Sequence, residues 1–340
     1  MALVNSERNS KSYYLHHGWL TLIKQAAEQY GLKLSNYFSQ SSNNIDHLDV
    51  RTVRGIHHQM VLDSKDPTFS LVAAKYVQPL TFDSFSLLLW AAPDLNTLIS
   101  DACKYSMSVG APIHLKLSYT IQGHAELWVI NREPLNKESV VTYVGVTLFI
   151  AVLMQIVYKA VGREDLGLKV GLNSWPYTEE NKAKFEQIMN CDIVTGSPVR
   201  KIIIPRNVLN TKIVTANSDI YLAIKPIVIK QTAKVIREDI FLQIHSVLNQ
   251  MKSLSDTTID DVARQLSFSV RTLNRRLADE GTTYRSVLEK YKLERSLQLL
   301  SQSDCSITEI AYQLGFSDIS TFSRAFKRWT GYSPSNIERK

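Results

Sequence analysis

Between Ser269 and Leu277 the chain sets Arg271, Asn274, Arg275 and Arg276 around Leu273 and Leu277. The two leucines recur at a helical interval and claim one face, so the guanidinium and amide groups fall largely on the other. A second short run, "ISTFSRAFKRWT" from Ile319, carries Arg324, Lys327 and Arg328. Cationic groups gathered on the outer side of a helix can hold an anion, and an amide adds a donor and an acceptor side by side. The whole chain leans the same way. In 340 residues, 39 Lys and Arg stand against 32 Asp and Glu, a net charge of +7 that favours a polyanionic partner.

Other chemistries lack their residues. Cys103, Cys191 and Cys305 are odd in number and far apart, so neither a disulfide framework nor a metal cluster is expected, and a reduced cytoplasmic setting fits. His16 and His17, like His57 and His58, are sequence neighbours, which point different ways along a helix or strand, and no Cys/His spacing suggests zinc. No glycine-rich phosphate loop is present, no His-Asp arrangement accompanies Cys103 or Cys191, and Glu179-Glu180 begin a helix where acidic residues are ordinary dipole partners. The expectation is no enzyme, no metal and no cofactor. The first residues, "MALVNSERNSKSYYLHH", lack the apolar core of a signal peptide. The apolar run from Val144 to Gly162 contains Gln155 and Lys159 and is expected to be a buried core helix, with no membrane partner.

The elements that must position the cationic side chains occur twice. Ile259, Val262, Ala263, Leu266 and Phe268 return as Ile307, Ile310, Ala311, Leu314 and Phe316; after one extra residue, Leu273, Arg275 and Leu277 return as Phe322, Arg324 and Phe326. Each copy has the parts of a helix-turn-helix: a small residue where two helices approach, a short turn at Ser267 or Gly315, and an N-cap at Ser269 or at Ser317 or Asp318. Gly315 suits the positive φ such a turn often needs, whereas Ser267 does not. Between the copies, Thr283 to Gln302 carries an apolar face of Val287, Leu288, Tyr291, Leu293, Leu297 and Leu300, a helix able to fix the spacing of the two units. On one side of a DNA duplex, two such units would meet successive major grooves about 34 Å apart.

Residues from about 254 to 339 resemble the DNA-binding domain of the AraC/XylS family of bacterial transcription regulators, through the long signature "IAYQLGFSDISTFSRAFKRWTGYSP". Departures are few: Ile337-Glu338 stand where the family usually has Tyr-Arg, and Lys292 and Ser296 where an Arg and an Ala are frequent. The resemblance implies base contacts at Arg271, Asn274 and Arg275 in the first unit and at Ile319, Ser320, Ser323 and Arg324 in the second. Chemistry agrees: Arg271 and Arg275 can bridge guanine O6 and N7, Asn274 suits adenine, and Ile319 offers an apolar contact such as a thymine methyl. Arg276, Lys327 and Arg328, with the helix-start serines Ser269 and Ser317, are assigned to phosphates, which orient the protein without reading sequence. The competing reading is a solvated charged helix face. The resemblance also implies promoter DNA as partner, RNA polymerase if the protein activates, a small-molecule effector, and pairing of two chains.

Ahead of this domain, helical and strand patterns interleave up to about Thr215, which gives an α/β domain in front of an all-α one with two helix-turn-helix units joined by a long helix. A hairpin is expected around Gln122-Gly123, its inner face carrying Ile113, Leu115, Leu117 and Tyr119. Ile236, Ile240, Ile244, Val247 and Met251 form one apolar stripe, which either closes the core of the first domain or pairs with a second copy of itself. "KSLSDTT" (252–258) reads as a polar boundary free of core residues. The expected organisation is therefore 1–230 effector and pairing domain, 231–253 linker helix and 254–340 DNA-binding domain. The front segment is similar to the effector domain of the ornithine-utilisation-type branch, which commonly senses a small molecule; a fused methyl-acceptor enzyme would want a reactive cysteine with metal-ligand companions. Trp90, Tyr119, Trp128, Arg132 and Trp175 are the candidate effector-pocket residues, with core or surface packing as the alternative for each.

Overall fold

The computed structural model describes residues 15–37, 50–110, 113–131, 143–251, 253–255, 257–302 and 305–337. The chain divides between Ala233 and Lys234 into two compact units.

The first unit opens with five helices, α1 (Gly18–Gln29), α2 (Val50–Ser64), α3 (Phe69–Ala74), α4 (Asp83–Ala91) and α5 (Leu95–Tyr105). Strands β1 (Ile113–Tyr119) and β2 (Ala125–Asn131) lead to α6 (Tyr143–Val161). Then come β3 (Lys169–Gly171), α7 (Glu179–Met189), β4 (Asp192–Val194), β5 (Lys201–Ile204) and α8 (Ser218–Glu238). The sheet order is β1-β2-β5-β3-β4, antiparallel except for the β3–β4 pair. The hairpin forms, but its connection runs from 120 to 124 rather than through two residues, with Gly123 at φ +80. Of the expected inner face, Ile113 and Leu115 are buried and Leu117 half-buried, while Tyr119 is exposed and donates to Asn96.

α6 is the axis of this unit. Val146, Leu148 through Met154 and Ile156 to Tyr158 are buried, so a helix apolar on most sides is covered by protein, packing against α2, α3, α4 and α5. Lys159, the charge that interrupts the run, donates to the carbonyls of Lys75 and Val77 just beyond α3, at 2.6 and 2.9 Å. His57 on α2 is buried, with Nε2 3.1 Å from Ser70 Oγ. Burial, helped by the charge of neighbouring His58, pulls its pKa down to about 3. A folded-state pKa below the unfolded value means that stability is whole above about pH 6.5 and drains as pH falls toward 3, at no more than about 1.4 kcal/mol per pH unit. The thermal midpoint of the full chain is therefore expected to fall more steeply between pH 6.5 and 4 in wild type than in His57→Gln; parallel profiles would contradict this reading.

α8 is held to its own unit by polar contacts. Tyr221 donates to buried Asp101 on α5 at 2.5 Å, and Lys225 donates to Tyr221, with Val228 the buried apolar residue of that side. Ile220, Leu222, Ile227 and Ile229 are left exposed.

The second unit comprises the end of α8 and six further helices, α9 (Ile240–Gln250), α10 (Ile259–Gln265), α11 (Val270–Asp279), α12 (Tyr284–Gln302), α13 (Ile307–Gln313) and α14 (Ile319–Thr330). The expected linker at 231–253 is instead two helices, broken where Asp239 caps α9 by accepting from Leu242 N–H. The stripe of Ile240, Ile244 and Val247 is buried within its own unit, where α9 lies against α10, α11 and α12. The segment read as a boundary free of core residues also departs from that reading. Leu254 is buried, and its N–H donates to Gln313 O at 3.3 Å.

Candidate nucleic-acid interface

Both helix pairs begin alike. Thr258 and Asp261 form a reciprocal capping box at α10, and Ser306 and Glu309 form one at α13. The small residues Ala263 and Ala311 are fully buried where the helices approach. Each turn then passes through a left-handed residue, Gly315 at φ +70 and Ser267 at φ +58. Serine thus takes the conformation it was expected to resist, because the same fold is imposed on both copies; the cost is the usual one for a Cβ in that region.

The second helices start at Ser269, which accepts from Thr272 N–H, and at Asp318, which accepts from Thr321 N–H. Of the two cap candidates in the second unit, Asp318 does the capping, and Ser317 donates to its carboxylate at 2.9 Å. Those hydrogen bonds to Thr321 and Ser317 hold the Asp318 carboxyl down to about 2. Leu273 and Leu277 on α11, and Phe322, Ala325 and Phe326 on α14, are buried. Around them Arg271, Asn274, Arg275 and Arg276 are exposed, as are Ile319, Ser320, Arg324, Lys327 and Arg328, while Ser323 is half-buried. The polar sides of both helices therefore face solvent and are not spent on the unit's own core.

Aromatic residues brace the equivalent turns. Phe316 packs at 5.4 Å from Phe322 and lies under the Lys292 ammonium at 4.7 Å; in the first unit Phe268 carries the Arg276 guanidinium at 4.2 Å. Arg276 is thus oriented by its own unit. Arg328 sits 3.5 Å from Glu289 of α12, which also meets Arg285 at 3.6 Å, so a phosphate would have to share or displace a carboxylate there. Glu289 was not singled out in sequence, since a lone glutamate on a spacer helix carries no pattern.

Residues 262–340 match the family model described as a helix-turn-helix domain. The ornithine utilization regulator of Pseudomonas aeruginosa is 25% identical over 272 residues, 80% of this chain and 78% of that protein. The transcriptional activator RhaS of Escherichia coli is 42% identical over 81 residues. Residues 262–340 thus form a helix-turn-helix domain similar to that of transcription regulators. The RhaS match covers 24% of this chain and 29% of RhaS, so the chain spans under a third of that relative's length. The crystal structure of the regulator CdpR from Pseudomonas aeruginosa aligns over 94% of this chain and 97% of its own at 19% identity, with a TM-score of 0.47. These relatives are transcription regulators. Burial pushes the Cys103 and Cys191 thiols up to about 12, far from a thiolate nucleophile.

Four of the five residues expected to form an effector pocket lie among the described residues. Trp90 is packed in the core of the first unit, Tyr119 lies at the exposed end of β1, and Trp128 is buried with its indole donating to Glu126. Arg132 lies outside the described residues. Trp175 lines a cavity beside Tyr177, Phe185 and Arg200. A larger recess, lined by Trp19, Arg54, His57, Gly145 and Phe149 among others, went unnoticed in the sequence. Its one signal there was a glycine inside an otherwise apolar helix.

His16, His17 and Asp83 do converge, against the expectation that neighbouring histidines diverge: their ligand atoms lie within 4.8 Å of one another, and the rings stack at 4.3 Å. Yet His16 Nδ1 accepts from Gly18 N–H, which places the proton of a neutral ring on Nε2, facing Asp83 at 3.2 Å. In that tautomer the nitrogen nearest the carboxylate has no lone pair for a metal.

Proposed function

We propose that the protein is a sequence-specific transcription regulator that grips promoter DNA with α11 and α14, activates rather than represses, and answers to a small molecule held by the first unit. The single observation that carries this is the duplicated helix pair whose second helices keep Arg271, Asn274, Arg275 and Arg324 at the surface while Leu273, Leu277, Phe322 and Phe326 anchor them. Arg271, Asn274 and Arg275, with Ile319, Ser320, Ser323 and Arg324, would read base edges; Arg276, Lys327, Arg328, Ser269 and Ser317 would hold phosphates. The similarity to an activator supports activation, with RNA polymerase as the partner that an activator must engage. The recess in the first unit favours an effector over a front domain that serves only as a protein-interaction module. Selection of random duplexes on the full chain is expected to enrich two conserved blocks about one helical turn apart, with affinity falling steeply as salt rises. Recovery of unselected sequence would refute sequence-specific regulation.

Pairing of two chains is part of the same reading. α8 leaves Ile220, Leu222, Ile227 and Ile229 in water while polar contacts fix its inner side, an arrangement that suits an isologous contact with a second copy. Sedimentation of Leu222→Asp with Ile229→Asp is expected to shift a wild-type dimer to monomer with its fold intact; an unchanged dimer would remove α8 from the interface.

A further inference from the structure

We propose that Glu289 sets how strongly the second helix pair holds unselected DNA, acting as an internal counter-ion that Arg328 leaves only for a phosphate in register. The proposal rests on the DNA-binding reading above and gives a residue of the spacer helix a specificity-determining role. Arg285, Glu289 and Lys292 follow one another at intervals of four and three, so α12 carries them on one side. A single carboxylate oxygen, Glu289 Oε1, stands 3.6 Å from Arg285 Nε and 3.5 Å from Arg328 Nη2 on α14. Lys292, whose ammonium lies over Phe316 at 4.7 Å, feels the same negative charge. Arg285 and Arg328 are exposed and Glu289 is half-buried, so the cluster is open to an incoming duplex.

The first helix pair is built differently. Among the described residues no carboxylate forms an ion pair with Arg271, Arg275 or Arg276, and Arg276 is braced by the Phe268 ring instead. A duplex of any sequence offers phosphates, and non-specific affinity is the sum of the cations that reach them. Without base contacts to fix the register, a phosphate meets Arg328 only in passing, and the carboxylate already beside it competes. On the selected sequence, base contacts from α11 and α14 hold one phosphate at Arg328. The guanidinium then transfers to it, and Arg285 keeps Glu289 from being left as a lone charge. Arg328 therefore adds to specific binding, whereas Arg276 adds to both kinds. An exposed ion pair of this sort holds back about two- to fivefold in affinity, enough to bias the competition without locking Arg328 away.

Fluorescence anisotropy of the full chain on its selected duplex and on an unselected one, each between about 50 and 200 mM salt, tests this. Glu289→Gln keeps the shape and removes the charge. It is expected to tighten the unselected duplex about two- to fivefold, to steepen its salt slope by about one, and to leave the selected duplex within about twofold. Arg328→Gln is expected to weaken the selected duplex and lower its slope by about one while the unselected duplex stays unchanged; in that background Glu289→Gln is expected to add nothing. Should Glu289→Gln melt below wild type, the contrast of Arg328→Gln with Arg276→Gln, which is expected to lose on both duplexes, still decides the matter. Unselected binding that is unchanged or weaker in Glu289→Gln, equal losses on both duplexes in Arg328→Gln, or a gain that persists without Arg328 would each overturn the assignment. Those outcomes with the wild-type preference intact sink the role of Glu289 alone, whereas a wild type that shows no preference between the duplexes sinks the regulator.

Discussion

Arg324→Ala and Arg275→Ala are each expected to weaken binding of the full chain to its selected duplex by about 1–3 kcal/mol, roughly 5- to 150-fold, and to relax preference at one base position. Both side chains are exposed on helices whose opposite faces are locked by buried leucine or phenylalanine, so truncation removes a contact without disturbing the fold. Arg324 is additionally steered by Thr321, whose hydroxyl lies 3.4 Å from its guanidinium and is itself 2.8 Å from the capping Asp318. Arg276→Gln is the contrast. Losing a phosphate contact is expected to lower affinity about equally for all sequences and to reduce the salt slope by about one. Equal affinity and unchanged preference in both alanine variants would show that the polar faces of α11 and α14 do not read DNA.

Gly315→Ala is expected to destabilise the second unit by about 2–4 kcal/mol, the sum of a left-handed alanine and a collision with backbone. The added Cβ would stand 2.6 Å from Leu254 O and 2.9 Å from the Ser255 Cα, neither of which can swing aside like a side chain. In calorimetry of the full chain, the transition belonging to this unit should drop by on the order of 10 °C, with DNA binding lost in parallel. Ser267→Gly should act in the opposite direction, by about 0.5–1 kcal/mol, because it relieves the same φ in the first copy without any such collision to remove. An alanine variant as stable as wild type would mean that the turn reaches its geometry by some other route.

The helix pairs were legible because their rules are local. The cap at Ser269, the small residues Ala263 and Ala311, and leucine or phenylalanine at helical spacing all act within a few residues of one another, and the duplication shows the pattern twice. The exposed arginines followed from that periodicity. The α9 stripe was visible as well, but periodicity names the face that must be buried and not the surface that buries it. In the same way Leu254 looked like an isolated residue in a polar boundary, until Gly315 and Gln313 came up against its backbone.

Composition and short-range pattern thus sufficed for the two-domain plan, the repeated helix pair, the cationic faces and the core role of α6, since hydrophobic spacing and capping are properties of neighbouring residues. Tertiary packing alone decided the placing of β5 between β2 and β3, the union of α9 with the second unit, the Arg328–Glu289 contact and the recess beside Gly145. Each of those depends on surfaces contributed by segments far apart in the chain, and the free energy that joins them comes from burial that no stretch can achieve by itself.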